Sequence, residues 1–226
     1  MQTIDQAEQA ERLRKIRALL LAESPLAGME TWARTGEVPP AEELRAYGLT
    51  SDSISPQRYA ELRLLRFPLT RTYSFAIPCR EAVEALKRLA PLVEIGAGSG
   101  YWTAVLTAAG GDVLATDLQA FGETDYGFEA ARWAPVEPFG AAEAVRAYPE
   151  RNVFCCWPTE GAEWAFEAAR EMRPGRLLAV IGEGVGGHTA TEEFWQYLSE
   201  SFSPLENIVI PQFPRTRDFL AICRKR

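Results

Sequence analysis

Three glycines and the acid that follows them carry the clearest chemistry in this chain. Gly96, Gly98 and Gly100 interrupt the run Leu92-Val-Glu-Ile-Gly-Ala-Gly-Ser-Gly-Tyr101, and a second apolar run, Val113 to Thr116, ends on Asp117. Bare backbone at such a turn bends tightly and lets a ligand come closer than any side chain would permit. Asp117, about twenty residues on, falls where a carboxylate accepts hydrogen bonds from ribose hydroxyls. The pattern therefore predicts a site for an adenosine-bearing ligand. A glycine turn between a strand and a helix also arises for packing alone, and the spacing does not separate the two.

Glu94 sharpens the reading. It precedes the first glycine by two residues, where an acid repels a pyrophosphate and attracts an ammonium or a sulfonium. That favours S-adenosylmethionine over NAD or FAD. Neither a lysine nor a Ser/Thr pair follows the glycines, which excludes a Walker-type phosphate loop. The segment Glu-Ile-Gly-Ala-Gly-Ser-Gly, residues 94–100, resembles the first motif of class I S-adenosylmethionine-dependent methyltransferases, with Asp117 in the place of their ribose-binding acid. The likeness runs from about Tyr73 to the C-terminus. It implies S-adenosylmethionine as cofactor and S-adenosylhomocysteine as product, with the glycine backbone at the methionine end and Asp117 at the ribose. The expected cofactor contacts are Tyr73, Glu94, Gly96, Ala97, Gly98, Gly100, Tyr101, Trp102, Asp117, Leu118, Phe139 and Trp157. Of the aromatics Tyr73, Phe75, Tyr101 and Trp102, one or two are expected in the core instead. Glu137, Phe139 and the backbone near Gly140 are the candidates for the adenine.

Methyl transfer is an in-line displacement at a sulfonium, so it needs alignment and, for a protonated acceptor, somewhere for the proton to go. In an open parallel sheet these groups follow the carboxyl ends of the strands. After the predicted fourth strand stands Cys155-Cys156-Trp157-Pro158-Thr159-Glu160; after the fifth stands Gly182-Glu183-Gly184-Val185-Gly186-Gly187-His188. His188, the only histidine, and Glu183 are the candidate bases, histidine because its ordinary pKa, about 6.5, suits proton transfer near neutrality. His188 flanking the next helix, and Glu183 accepting loop amides, are the alternatives. Trp157 either faces the sulfonium, an attraction of roughly 0.5–2 kcal/mol, or is plain core. Nucleobase-methylating relatives carry Asp or Asn, two prolines and an aromatic after the fourth strand; Cys156-Trp157-Pro158-Thr159 lacks that polar hook, which counts against nucleic acid as acceptor. The Trp-Pro and Gly-Glu-x-x-Gly-Gly segments also resemble a little-characterised methyltransferase-like group, although Thr159 stands where a second proline usually follows.

The elements that must position these residues alternate from Pro78 onward. Helices are expected over 79–89, 101–109, 141–147, 160–172 and 191–202, the last capped by Thr189 or Thr191, and strands over 92–95, 113–116, 133–137, 153–156 and 177–181. Residues 206–211 and 218–224 then form an antiparallel hairpin across Pro-Arg-Thr-Arg. Residues 122–132, rich in glycine and aromatics, take no assigned element. The fold class is α/β: a three-layer αβα Rossmann-like methyltransferase sheet of seven strands, residues 73–226, under an N-terminal helical cap, residues 1–72. In the cap, residues 4–22 place Leu13, Ile16 and Leu20 on one stripe; Ser24-Pro25 stops that helix. Pro39 to Gly48 reads as a second helix, and Ser55-Pro56 opens a third that closes before Pro68.

The 226 residues, 47% hydrophobic, make one globular domain with an appended segment. A net charge of −7 argues against a nucleic-acid partner, which needs a basic face. The local cluster Arg58, Arg63, Arg66 and Arg71 is read as either a solvated helix face or a binding patch. Uncharged apolar runs fall short of a membrane span, and no leader or lipidation motif is expected. Cys79, Cys155, Cys156 and Cys223 lack metal or disulfide spacing, so no metal is expected and the compartment reads as cytoplasmic. The predicted function is methyl transfer to O, N or S of a small molecule, placed in specialised metabolism, by a monomer or homodimer. A non-catalytic S-adenosylmethionine-binding module and an NAD-dependent oxidoreductase are the competing readings.

Overall fold

A computed structural model of the chain describes residues 6–50, 54–118 and 132–226. Its centre is β1 (Leu92–Ile95), buried at all four positions. A short, wholly apolar-flanked run of this kind fits only between two covered faces of a parallel sheet. β1 pairs in parallel with β2 (Val113–Thr116) on one side and β4 (Asn152–Cys156) on the other. β3 (Val136–Glu137) lies outside β2, and β5 (Leu177–Gly182) outside β4. β7 (Phe219–Lys225) enters antiparallel between β5 and β6 (Phe202–Val209). The order among the described residues is β3-β2-β1-β4-β5-β7-β6. Strand order therefore reverses between β1 and β4, the crevice where open α/β sheets bind ligands.

Alternate residues of the strands feed two cores. On one face Leu92, Phe154, Ile181, Leu220 and Ile222 pack beneath α5 (Arg80–Lys87) and α6 (Tyr101–Ala108). On the other, Val93, Ile95, Val153 and Val180 meet α7 (Ala141–Ala147), α8 (Trp164–Glu171) and α9 (Glu192–Ser201). Neighbouring Cys155 and Cys156 divide between the two faces, as the two-residue period of a strand requires.

The N-terminal helices are α1 (Gln6–Ala22), α2 (Met29–Thr35), α3 (Ala41–Ala46) and α4 (Pro56–Thr72). Leu26, Met29, Trp32, Leu44, Leu62 and Leu65 belong to the same continuous core as β1 and β5. α2 docks on α6 through Gly36, whose φ of +71° ends the helix and whose added Cβ would stand 2.3 Å from the Ala109 nitrogen. Gly36→Ala is expected to cost about 3 kcal/mol, combining overpacking with a left-handed backbone. Urea denaturation reads this as a lower midpoint at unchanged slope; an unmoved midpoint would show that the two helices separate without cost.

Several boundaries differ from expectation. α4 does not close before Pro68 but continues to Thr72, because Leu65, Leu69 and Thr70 are all buried and hold both sides of the proline in place. On α1 the expected stripe is only partly used: Ile16 is exposed, while Leu20 and Leu21 reach the core. β6 begins directly where α9 ends, at Phe202, and the β6–β7 connection is residues 210–218 rather than a short turn. α8 starts at Trp164, four residues later than expected, after a turn at 160–163. β3 is shortened to Val136–Glu137, its first expected residues being diverted to the glycine loop. Thr191 caps α9, accepting the Phe194 N–H at 3.2 Å. The segment 122–131 lies outside the described residues.

Candidate active site

The glycine loop follows β1 at the carboxyl edge of the sheet. The Ala97 N–H donates to the Thr116 carbonyl at 3.0 Å, the Gly98 N–H to Asp117 Oδ2 at 2.8 Å, and the Asp117 N–H to the Glu137 carbonyl at 3.0 Å. The ends of β1, β2 and β3 are thereby tied together. The glycines do different work. An added Cβ at Gly96 would lie 2.7 Å from the Trp164 ring, so this residue is bare to admit a packed indole. Gly98, at φ +54°, has no described residue within 4 Å of that position. Packing thus explains Gly96, and the open space a Cβ would enter at Gly98, beside Asp117, is what a cofactor cradle requires.

Two segments brace this loop. Ser99 Oγ donates to the Tyr73 carbonyl at 2.8 Å, and the Ser99 carbonyl accepts the Trp133 N–H at 3.0 Å. Tyr73 and Trp133 stack with centroids 5.0 Å apart, and Trp133 Nε1 donates to the Thr72 carbonyl at 2.7 Å. Leu118, next to Asp117, is 71% exposed, an apolar surface turned outward at the sheet edge. A Cβ on Gly140 would be 3.9 Å from its Cδ1, and Phe139, half-buried, sets its ring edge-on to Tyr148.

Three expected contacts are placed differently. Tyr101 and Trp102 are each 1% exposed and have no surface to offer a ligand. Tyr101 Oη donates to the Met29 carbonyl at 2.9 Å, and Trp102 Nε1 to Ser74 Oγ at 3.0 Å, so both fasten α6 to segments outside it. Amphipathic aromatics at a helix start are drawn inward here because their single polar atoms find partners. Glu94 does not stand at an open mouth either. It is buried, its Oε2 accepting the Thr103 hydroxyl at 2.5 Å, and burial pushes its carboxyl up to about 8, with Asp117 pushing the same way. A carboxyl that is mostly protonated near neutrality repels a pyrophosphate weakly, so Glu94 discriminates less between donors than its position in the sequence implies.

The edge beyond β4 is organised around Trp157. This residue has φ +56°, a left-handed conformation that is a genuine outlier for a bulky side chain. Its N–H donates to the Ile181 carbonyl at 2.8 Å, its Nε1 to Asp218 Oδ1 at 2.8 Å, and its ring stacks on Phe75 at 5.3 Å. Asp218 is 1% exposed, also accepts the Thr216 hydroxyl at 3.2 Å, and is pushed up to about 7 by burial, against the lowering effect of the Trp157 donor. Trp157→Phe keeps the ring and removes the donor. Because a buried acceptor then loses a partner, it is expected to destabilise the fold by about 1–3 kcal/mol, read as a lower thermal midpoint; an unaltered midpoint would mean that Thr216 alone satisfies Asp218.

Glu183 is buried, its Oε2 accepting the His188 N–H at 2.7 Å and its Oε1 the Arg217 N–H at 2.9 Å. It staples the β5–α9 loop to the segment entering β7, which is the loop-amide alternative. His188 is exposed, with Nδ1 3.2 Å from Glu160 Oε2. Burial pushes the Cys155 and Cys156 thiols upward, which disfavours the thiolate near neutrality. Among the described residues no three His, Cys, Asp or Glu side chains gather as a metal site, and no helix is long and apolar enough to cross a membrane.

Asp218 and Ser74 were not legible as site residues, and Arg66 was legible only as one of the arginine cluster on α4. The signal for Asp218 lay in the hairpin: an antiparallel last strand enters the sheet at the edge where the parallel strands end. Phe219 accordingly pairs with Gly182, and the residue before β7 joins those after β5.

The strand order, the antiparallel β7, the glycine turn after β1 and the acid ending β2 define the class I methyltransferase fold. No protein-family model and no curated protein matches the sequence. Solved structures that resemble the chain do so remotely. The 1,6-didemethyltoxoflavin-N1-methyltransferase of Burkholderia thailandensis, solved with 1,6-didemethyltoxoflavin and S-adenosylhomocysteine, is 18% identical over 78% of this chain and 92% of its own, with a TM-score of 0.45. The N-methyltransferase NodS of Bradyrhizobium japonicum is 16% identical over 65% and 95%, at 0.40. An rRNA methylase of Streptococcus thermophilus is 20% identical over 66% and 99%, also at 0.40.

Proposed function

We propose that the chain is an enzyme that transfers a methyl group from S-adenosylmethionine to an O, N or S atom of a small molecule. The reading is carried by the Gly98 N–H bonded to Asp117 Oδ2 beside open space, at the switch point of a sheet of this order. Bound there, the cofactor supplies an electrophilic methyl on a sulfonium. Asp117 would accept from the ribose, Leu118 would offer the adenine an apolar surface, and the backbone at Ala97 and Gly98 would hold the methionine end. Trp157 walls the acceptor side, its ring held by Asp218 and Phe75.

Two loops meet at His188. Glu183 holds its backbone and Glu160 holds Nδ1, which leaves Nε2 as the proton-accepting nitrogen, the arrangement of an oriented general base. His188→Ala should lower turnover about 10²-fold while S-adenosylhomocysteine binds as in the parent. Turnover that does not change would remove the base and leave alignment as the whole of the catalysis.

Calorimetric titration with S-adenosylhomocysteine and with NAD, followed by transfer of labelled methyl into a fractionated metabolite extract, tests the function. S-Adenosylhomocysteine should bind and NAD should not; the reverse outcome makes the chain an oxidoreductase. Binding without label leaving the cofactor in any fraction makes it a regulatory module.

A further inference from the structure

Two of the three non-glycine residues with positive φ among those described, Trp157 and Arg215, border one cluster of side chains. Strained backbone of this kind persists where surrounding structure holds it and gathers at ligand sites. Between them stands α4, on which Tyr59, Arg63 and Arg66 are spaced four and three apart and so share a face. The Arg66 guanidinium lies 5.5 Å from the Trp157 ring centroid and 5.8 Å from that of buried Phe213. Arg63 and Arg215 approach the Tyr59 ring at 6.0 and 5.1 Å. Arg66 thus lies beside Trp157, and Arg63 and Arg215 gather around Tyr59 further along the same helix.

Among the described residues none of the three is ion-paired with a carboxylate. Glu61, the acid within α4, is taken by Arg58 at 2.7 Å. Asp218 attracts Arg66, yet its two oxygens are engaged by Trp157 and Thr216 and it makes no ion pair with the guanidinium. Arg66 donates no hydrogen bond to a described residue, and Arg63 makes a single long one, 3.4 Å, to the Tyr59 hydroxyl. Among the described residues, three arginines thus have no ion-paired carboxylate in a chain of net charge −7. A guanidinium held near an aromatic ring keeps its charge and its forked N–H donors for a planar or tetrahedral oxyanion.

We propose that the acceptor carries an oxyanion, a carboxylate or a phosphate monoester, bound by Arg66 with Arg63 and Arg215 while its methylated atom lies on the Trp157 side. The proposal rests on the methyl-transfer reading for its acceptor and on the arginine cluster for its charge. Arg66 fixes the bound group bidentately; Arg63 and Arg215 add charge from the rim.

Calorimetry with benzoate, phenyl phosphate and neutral benzamide, at matched ionic strength and with and without S-adenosylhomocysteine, tests it. At least one of the two anions should bind saturably and tenfold or more tighter than benzamide, and the tighter of the two identifies the source of the oxyanion. Arg66→Gln should weaken that anion tenfold or more. Arg66→Lys, which keeps charge but not the fork, should recover only part. Arg215→Gln, on an exposed turn where folding is not at stake, should weaken it severalfold. Anions that bind no tighter than benzamide, or that bind Arg66→Gln and Arg215→Gln as well as the parent, overturn the proposal. Asp117→Ala should keep the anion site, so a chain that binds the anion but never S-adenosylhomocysteine would sink the methyl-transfer reading and leave the oxyanion site standing.

Discussion

Asp117→Ala is expected to weaken S-adenosylhomocysteine binding by about 10²-fold or more. Each hydrogen bond from a ribose hydroxyl to a carboxylate contributes about 1.5–3 kcal/mol when formed away from bulk water, and two such bonds are at stake. The substitution also takes the acceptor from the Gly98 N–H, so the loop that borders the methionine end loses its tie to β2. Asp117→Asn, which retains an acceptor oxygen but no charge, should lie between the two. Calorimetry provides the dissociation constants, and circular dichroism checks that the sheet survives. Affinity within threefold of the parent for the alanine variant would mean that the ribose is held elsewhere.

The second large effect is on stability against pH. Glu94 is held up to about 8 in the folded chain, against 4.5 for an ordinary glutamate, because burial disfavours its charge. The folded state therefore retains a proton between those values that the unfolded state has released. Stability falls as pH rises through that window, by up to about 1.4 kcal/mol per unit for one group, and levels off above pH 8. Asp218 adds a decline of the same sign that ends near pH 7. Glu94→Gln keeps an acceptor for Thr103 and cannot ionise. It should match the parent near pH 4.5 and exceed it at pH 8 by on the order of 3 kcal/mol, its own decline stopping near pH 7. Urea denaturation from pH 5 to 9 measures both curves. Coincident curves at pH 8 would mean that Glu94 is ionised in the fold.

Much of the fold was written locally. The glycine turn, the acid at the end of β2 and the alternation of apolar runs with amphipathic segments are signals that a few neighbouring residues carry by themselves, and they led to the right sheet, hairpin included. What misled was local as well. Pro68 breaks a helix in isolation, but the burial of Leu65 and Leu69 on either side outweighs the lost hydrogen bond. Tyr101 and Trp102 follow a binding loop in sequence, yet the helix that starts there turns both inward, onto Met29 and Ser74.

The sequence by itself determined the strand, glycine turn, helix and second strand at the centre of the sheet, because a glycine turn and an acid at fixed separation across one such unit need no distant partner to be recognised. The edge around Trp157 was decided only by the tertiary structure. Arg66 from α4, Phe75 from the segment after it, Trp157 after β4 and Asp218 before β7 are separated by up to about two thirds of the chain, and only the antiparallel entry of β7 and the docking of α4 bring them together. Spacing along a chain reports which residues share a helix face or a strand edge. It carries no record of which loops converge once seven strands have been ordered, and the charge and hydrogen bonding of this edge exist only after that convergence.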